Sequence, residues 1–156
     1  MQRRNFLLAS TLALALPLAH AATKKTKAAA PTTPALITVY KSPTCGCCAH
    51  WIEHLQEAGF ETKVINSEDM DAIKLAQRVP NEMMSCHTGV VDGYFIEGHV
   101  PAEDIKKLLT QRPKARGLAV PGMPMGSPGM EMEGHVDVYS VYLVQADGSA
   151  DVYSHH

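Results

Sequence analysis

Leu36-Ile37-Thr38-Val39-Tyr40-Lys41-Ser42-Pro43-Thr44-Cys45-Gly46-Cys47-Cys48-Ala49-His50-Trp51-Ile52-Glu53-His54-Leu55 is the stretch from which the architecture unfolds. Its first five residues are a β-rich run that stops at Ser42-Pro43. After the cysteines the period changes: Cys48, Trp51, Ile52 and Leu55 fall on one face of a helix, and Gly59 is a natural C-terminal stop. A strand-to-helix junction thus carries three of the chain's 4 cysteines. Downstream, Glu61 to Asn66 reads as a second strand. Ser67 then caps a helix whose Met70, Ile73, Ala76 and Val79 share a side, and Pro80 ends it. Thr88 to Val91 and Tyr94 to Ile96 are β runs joined by Asp92-Gly93, a strong hairpin signal. Pro101 opens a helix with Glu103 and Asp104 in its first turn and Ile105, Leu108 and Leu109 on one face. Gln111 to His135 shows neither helix nor strand. Val136 to Gln145 alternates as a strand does, and after Asp147-Gly148 a partner run passes through Val152 and Tyr153.

The order β-α-β-α-β-β-α is that of a thioredoxin-like fold. The expected class is therefore α/β, a thioredoxin-like mixed sheet with a Met-rich loop and a C-terminal β-hairpin. No internal repeat is visible.

The N-terminus reads as an export signal over residues 1–21: Arg3 and Arg4, an apolar stretch from Phe6 to Leu18, and a small-x-small site at Ala19-His20-Ala21, with cleavage expected after Ala21. That apolar stretch is short of the ~20 residues that span a bilayer, so no stable membrane insertion of the mature chain is expected. Gln2-Arg3-Arg4-Asn5-Phe6-Leu7 also resembles a twin-arginine signal, and an ordinary secretory signal fits equally. Either route implies a periplasmic protein. Residues 22–35, with Lys24, Lys25, Lys27, Pro31 and Pro34 among Ala and Thr, read as a disordered linker, and 36–156 as a single domain. Taking the two signal arginines from the 14 basic residues leaves 12 against 16 acidic ones, a formal charge of −4, which excludes nucleic acid as an expected partner.

The cysteines decide the chemistry. Cys48 lies in the first turn of a helix, where free backbone N–H groups and the positive dipole end favour thiolate, the metal-binding form. Cys45-Gly46-Cys47 precedes it on a tight bend. Cys86 has to arrive from a distant loop, beside His87 and just after Met83 and Met84. Thiolates with thioethers suit Cu(I). One Zn(II) on four thiolates would be a net dianion, costly to bury, whereas bridging thiolates matched by an equal number of Cu(I) ions form a neutral cluster. Several Cu(I) ions per chain are therefore expected, zinc being the poorer fit. Two disulfides also suit an oxidising compartment, as Cys45–Cys48 with Cys47–Cys86 or Cys45–Cys47 with Cys48–Cys86. Cys45-x-x-Cys48 is in addition a redox CxxC, which makes a periplasmic thiol–disulfide oxidoreductase the rival function, with Cys45 attacking and Cys48 resolving. Cys47, a third thiol inside that motif, favours a cluster over disulfide exchange.

Other soft or imidazole groups are candidates for direct or supporting roles. Met84, Met123, Met125 and Met130 are candidate thioether ligands or relays, core filling being the alternative. His87 and His99 are candidate ligands or near neighbours of the site, able to serve Cu(II), and His135 is a weaker candidate. His50 and His54, four apart on the first helix, have a divalent-ion spacing that more often marks a solvated face. Trp51 belongs to the core.

Tyr40-Lys41-Ser42-Pro43-Thr44-Cys45-Gly46-Cys47-Cys48, together with Cys86-His87-Thr88, Glu97-Gly98-His99-Val100-Pro101 and Gly117-Leu118-Ala119-Val120-Pro121-Gly122-Met123-Pro124, resembles the CopG-type periplasmic copper-resistance proteins, a thioredoxin-like family long catalogued as a domain of unknown function. The resemblance covers about residues 36 to 155. It implies a copper site on Cys45, Cys47, Cys48 and Cys86. The protein would then store and pass on Cu(I), or interconvert Cu(I) and Cu(II). Copper chaperones or efflux components and an electron-transfer protein would be its partners.

Overall fold

The computed structural model describes residues 34–156. The signal expected over 1–21 and residues 22–33 of the expected linker lie outside the described residues. Ala35, at the end of that linker, already accepts a hydrogen bond from Glu61 N–H and packs against the core. In chain order the elements are β1 (Leu36–Lys41), α1 (Gly46–Glu57), β2 (Glu61–Asn66), α2 (Met70–Ala76), a 3-10 turn (Asn81–Met83), β3 (His87–Val91), β4 (Tyr94–Glu97), α3 (Ala102–Gln111), β5 (Ala115–Ala119), β6 (Ser140–Gln145) and β7 (Ala150–His155). They build one 7-stranded sheet in the order β2-β1-β3-β4-β5-β6-β7. β1 runs parallel to β2 and β4 parallel to β5, and the other neighbours are antiparallel. This is the mixed, thioredoxin-like sheet that the order of sequence signals implies.

Local chemistry accounts for most of the elements. α1 buries Cys48, Trp51, Ile52 and Leu55, the expected face, against Ile37 and Val39 of β1 and against Ile105 and Leu108 of α3. Side chains alternate across a strand, so Ile96 joins this main core whereas Phe95 points to a second cluster with Val79, Ala119 and Val144. The β3–β4 turn places Asp92 and Gly93 at φ 49 and 85, the two positive values that a two-residue hairpin of matching twist requires. Among the described residues no helix is long and apolar enough to cross a membrane.

Four expectations need correction. α2 is capped by Asp69, whose carboxylate accepts Ala72 N–H at 2.9 Å; Ser67 instead accepts Asp69 N–H. Its buried residue is Lys74, while Leu75 is 77% exposed, so this short helix is oriented by a charge and not by an apolar stripe. β6 begins at Ser140; Val136 and Val138, which precede it, stand 75% and 89% exposed. Finally, the span from Gln111 to His135 contains a strand, β5, in the middle of the sheet. Ala115-Arg116-Gly117-Leu118-Ala119 has no β-branched residue and a central glycine, a poor strand former by composition. Its two neighbours impose the conformation. Gly117 is needed there because a Cβ would stand 1.9 Å from the Phe95 carbonyl oxygen across the β4–β5 pair.

The helices also brace one another. His54 Nε2 accepts the backbone N–H of Ala102 at 3.0 Å and so occupies a free donor in the first turn of α3. His50, one turn earlier on the same face of α1, is exposed, and the pair is divided between a cap and solvent.

Two mutational outcomes follow from this packing. Gly117→Ala should lower unfolding free energy by about 1–3 kcal/mol, an overpacking cost, with Gly46→Ala neutral or stabilising because nothing lies within 4 Å of a Cβ there; urea denaturation reads both. His54→Ala should cost about 1 kcal/mol, as loss of a helix cap does, and His50→Ala almost nothing. Equal costs for the two histidines would contradict the capping role.

Candidate metal centre

β1 ends at Lys41, and the turn that follows is closed by Cys45 N–H donating to Ser42 O at 3.1 Å. Cys45 is the N-cap residue of α1 and makes no side-chain cap bond, so its sulfur is not engaged in closing the helix. Cys47 and Cys48 follow inside the first turn. Cys86 sits on the segment between the 3-10 turn and β3, and this brings it to the same end of the sheet.

The sulfurs converge. Cys45 and Cys48 are joined in a disulfide, their Cα atoms 5.4 Å apart, and Cys47 and Cys86 are free thiols. Of the two alternative disulfide pairings, the structure contains only the Cys45–Cys48 half of the first. Cys47 Sγ lies 3.5 Å from Cys45 Sγ and 4.0 Å from Cys86 Sγ, and Cys86 Sγ lies 3.6 Å from Cys48 Sγ. All four sulfurs fall within 4.8 Å of one another.

Cys86 also belongs to a second donor group. Its sulfur is 3.2 Å from His87 Nδ1 and 3.2 Å from His99 Nε2. His99 follows Gly98, beyond the last residue of β4, Glu97. Its Nδ1 donates to Pro128 O at 2.8 Å, which leaves Nε2 with a lone pair directed at the sulfur. His87 is wholly buried, its ring 4.3 Å from that of Trp51 and 5.0 Å from that of His99. Its Nε2 is buried without a hydrogen-bond partner among the described residues.

Burial sets the protonation states. It holds His87 well below the usual imidazole value, helped by His99 and Lys74, and it lowers His99 as well. Both rings are neutral at neutral pH and can act as ligands. Burial, and then the neighbouring Cys47, push the Cys86 thiol up to about 12. Without a cation, this sulfur keeps its proton; a soft cation that replaced the proton would relieve the same penalty.

The methionine loop covers the site through its backbone. Gly129, at φ +85, passes so close to α1 that a Cβ would stand 2.7 Å from Trp51 N and 2.8 Å from Cys47 O. Only glycine fits this crossing, and Pro128 beside it supplies the carbonyl that orients His99. Met125 and Met130 are half-buried in the loop, and Met123 is 52% exposed. Met83 and Met84 pack against the Phe95 cluster. His135 pairs with Asp137 at the surface.

The structure thus assembles Cys45, Cys47, Cys48, Cys86, His87 and His99 in one place. Sequence reasoning overlooked the polar group behind them, in which Lys74, Glu97 and Thr88 are all buried and hydrogen-bonded together. An acid ending the apolar run Tyr94-Phe95-Ile96-Glu97 was the available signal.

Residues 83–130 match the family model described as "Protein of unknown function, DUF411". Among solved structures, "Copper resistance protein copG- Form 2" is 48% identical over 79% of this chain and 98% of its own, with a TM-score of 0.76. "Copper resistance protein copG- Form 1" is 49% identical over the same shares, with a TM-score of 0.75. No curated protein matches the chain. With nearly half of its residues shared along almost the whole length of those structures, and the CxCC turn, Cys86 and both imidazoles gathered at one end of the sheet, the chain belongs to the CopG copper-resistance family.

Proposed function

We propose that this is a periplasmic copper-binding protein of copper resistance, and that reduced Cys45, Cys47, Cys48 and Cys86 hold several Cu(I) ions as a thiolate-bridged cluster. The observation that carries this proposal is the mutual approach of four sulfurs within 4.8 Å, with one of them shared by two neutral imidazoles. Such a donor set is soft and compact, as Cu(I) prefers, and bridging keeps the buried charge near zero. The unpartnered Nε2 of His87 fits a site whose polar atoms have a further role. Copper here is cargo. Met125 and Met130 would add thioethers from the covering loop, and exposed Met123 would receive copper from a chaperone or pass it to an efflux component. Met84, packed in the second cluster, would contribute from behind the Cys86 segment.

Interconversion of Cu(I) and Cu(II) is the enzymatic extension of the same site. Cu(II) prefers nitrogen donors, which His87 and His99 supply. Each ion changes by one electron, so an electron-transfer partner is required. The Cys45–Cys48 bond adds a condition: two electrons from a reductant must cleave it to two thiolates before all four sulfurs can bind metal. That bond is also the feature that favours the rival, a thiol–disulfide oxidoreductase attacking through Cys45.

Anaerobic titration of reduced protein should give more than one Cu(I) per chain, and Cys86→Ser should cut that number by about half or more, since Cys86 joins both donor groups. Loading should quench the fluorescence of Trp51, the sole tryptophan, whose ring packs at a tilt against His87. A one-to-one zinc complex indifferent to copper would overturn the cluster. Metal-free protein should be a poor reductant of insulin disulfides; efficient turnover would transfer the function to the rival.

A further inference from the structure

Behind the sulfurs, on the Phe95 side of the sheet, is an ion pair that metal binding does not use. Lys74 is 4% exposed and Glu97 fully buried, and the two form a salt bridge. A buried pair is weak evidence of stabilisation, because desolvating two charges offsets most of their attraction. Its hydrogen bonds point to another role. Glu97 Oε1 accepts the backbone N–H of Ser85 at 2.7 Å, and Oε2 accepts the Thr88 hydroxyl at 2.6 Å. Lys74 Nζ donates to Glu97 Oε1 and, at 3.2 Å, to Thr88 Oγ1. Ser85 and Thr88 are the residues on either side of Cys86-His87. A single carboxylate therefore grips the chain before and after the residues that face the sulfurs.

The sheet holds His87 and Thr88 but stops short of Cys86. Pairing of β3 with β1 begins at His87 opposite Lys41, so Cys86 precedes the ladder. Yet Cys86 has to hold its sulfur 3.6 and 4.0 Å from two sulfurs on another element. Glu97 is equally tied to the second imidazole, since His99 lies two residues further on and the intervening Gly98 N–H donates to His87 O at 3.0 Å.

We propose that Glu97, held in place by Lys74, is the positioning residue that fixes Cys86, His87 and His99 against the Cys45-Gly46-Cys47-Cys48 turn. This deepens the copper–thiolate function and rests on it. The carboxylate acts through the Ser85 amide and touches no metal.

Two neutral variants separate the acceptor from the charge. Lys74→Met with Glu97→Gln keeps an amide oxygen for Ser85 N–H, whereas Lys74→Met with Glu97→Leu removes it, and neither leaves a buried charge unpaired. In reduced, metal-free protein the leucine variant should alkylate at Cys86 about tenfold faster, as loss of one charge-assisted hydrogen bond allows. It should also bind Cu(I) at the Cys86→Ser stoichiometry with a changed copper–thiolate absorption band. The glutamine variant should stay within about twofold of wild type in alkylation and keep its band, which a merely structural role would not require. Equal behaviour of the two variants, changed or unchanged, overturns the proposal. Failure of the wild type to bind copper would remove the copper function, and the alkylation contrast would still decide the clamp. If the leucine variant does not fold, hydrogen exchange in wild type decides: Ser85 N–H should be protected, and exchange at the rate of an unstructured amide overturns the clamp.

Discussion

Trp51 is the side chain around which the structure is organised. It is wholly buried, and its indole donates to Val100 O at 2.9 Å, one residue beyond His99. The ring packs at a tilt against His87 and fills the space left by Gly89, where a Cβ would come within 3.3 Å of it. Its own backbone is crossed by Gly129. One residue of α1 is thus in contact with β3, with the segment after β4 and with the covering loop. Close-packed interiors transmit position, so the spacing of thiols on α1 from donors on the other segments is set by how this ring seats.

Around that wedge, polarity is distributed with care. Three cysteine sulfurs lie at the N-terminal end of α1, where unpaired amides favour negative charge, while the imidazoles are kept neutral by burial. Cys86 stands between the two environments and bears the desolvation cost most directly. A cation is the natural partner of such an arrangement, since it cancels thiolate charge without demanding that the surrounding apolar packing open. The fixed Lys74–Glu97 pair adds no net charge to the region and can therefore hold geometry without competing for the metal.

Much of this was legible in the chain. The face of α1, both edges of β2 and the Asp92-Gly93 turn emerge as their local signals imply, because in each case short-range pattern and long-range packing demand the same thing. The four cysteines were recognisable as a group from residue type alone. β5 was hidden because its conformation comes from hydrogen bonds to β4 and β6, not from its side chains. Lys74 was hidden for a related reason: a lysine in a helix ordinarily faces water, and only the three-dimensional placement of Glu97 and Thr88 turns it inward. The bond between Cys45 and Cys48 belonged to one of two pairings that the sequence left open.

β5 and β6 are antiparallel neighbours, a relationship that a two-residue turn can provide. The chain connects them instead through residues 120–139, the segment that crosses α1 and orients His99. None of the ladder pairings of the seven strands involves that segment. Scaffold and cover are consequently modular. Sequence drift or grafting within the connection can alter what covers the cysteine end of the sheet without renegotiating a single strand register.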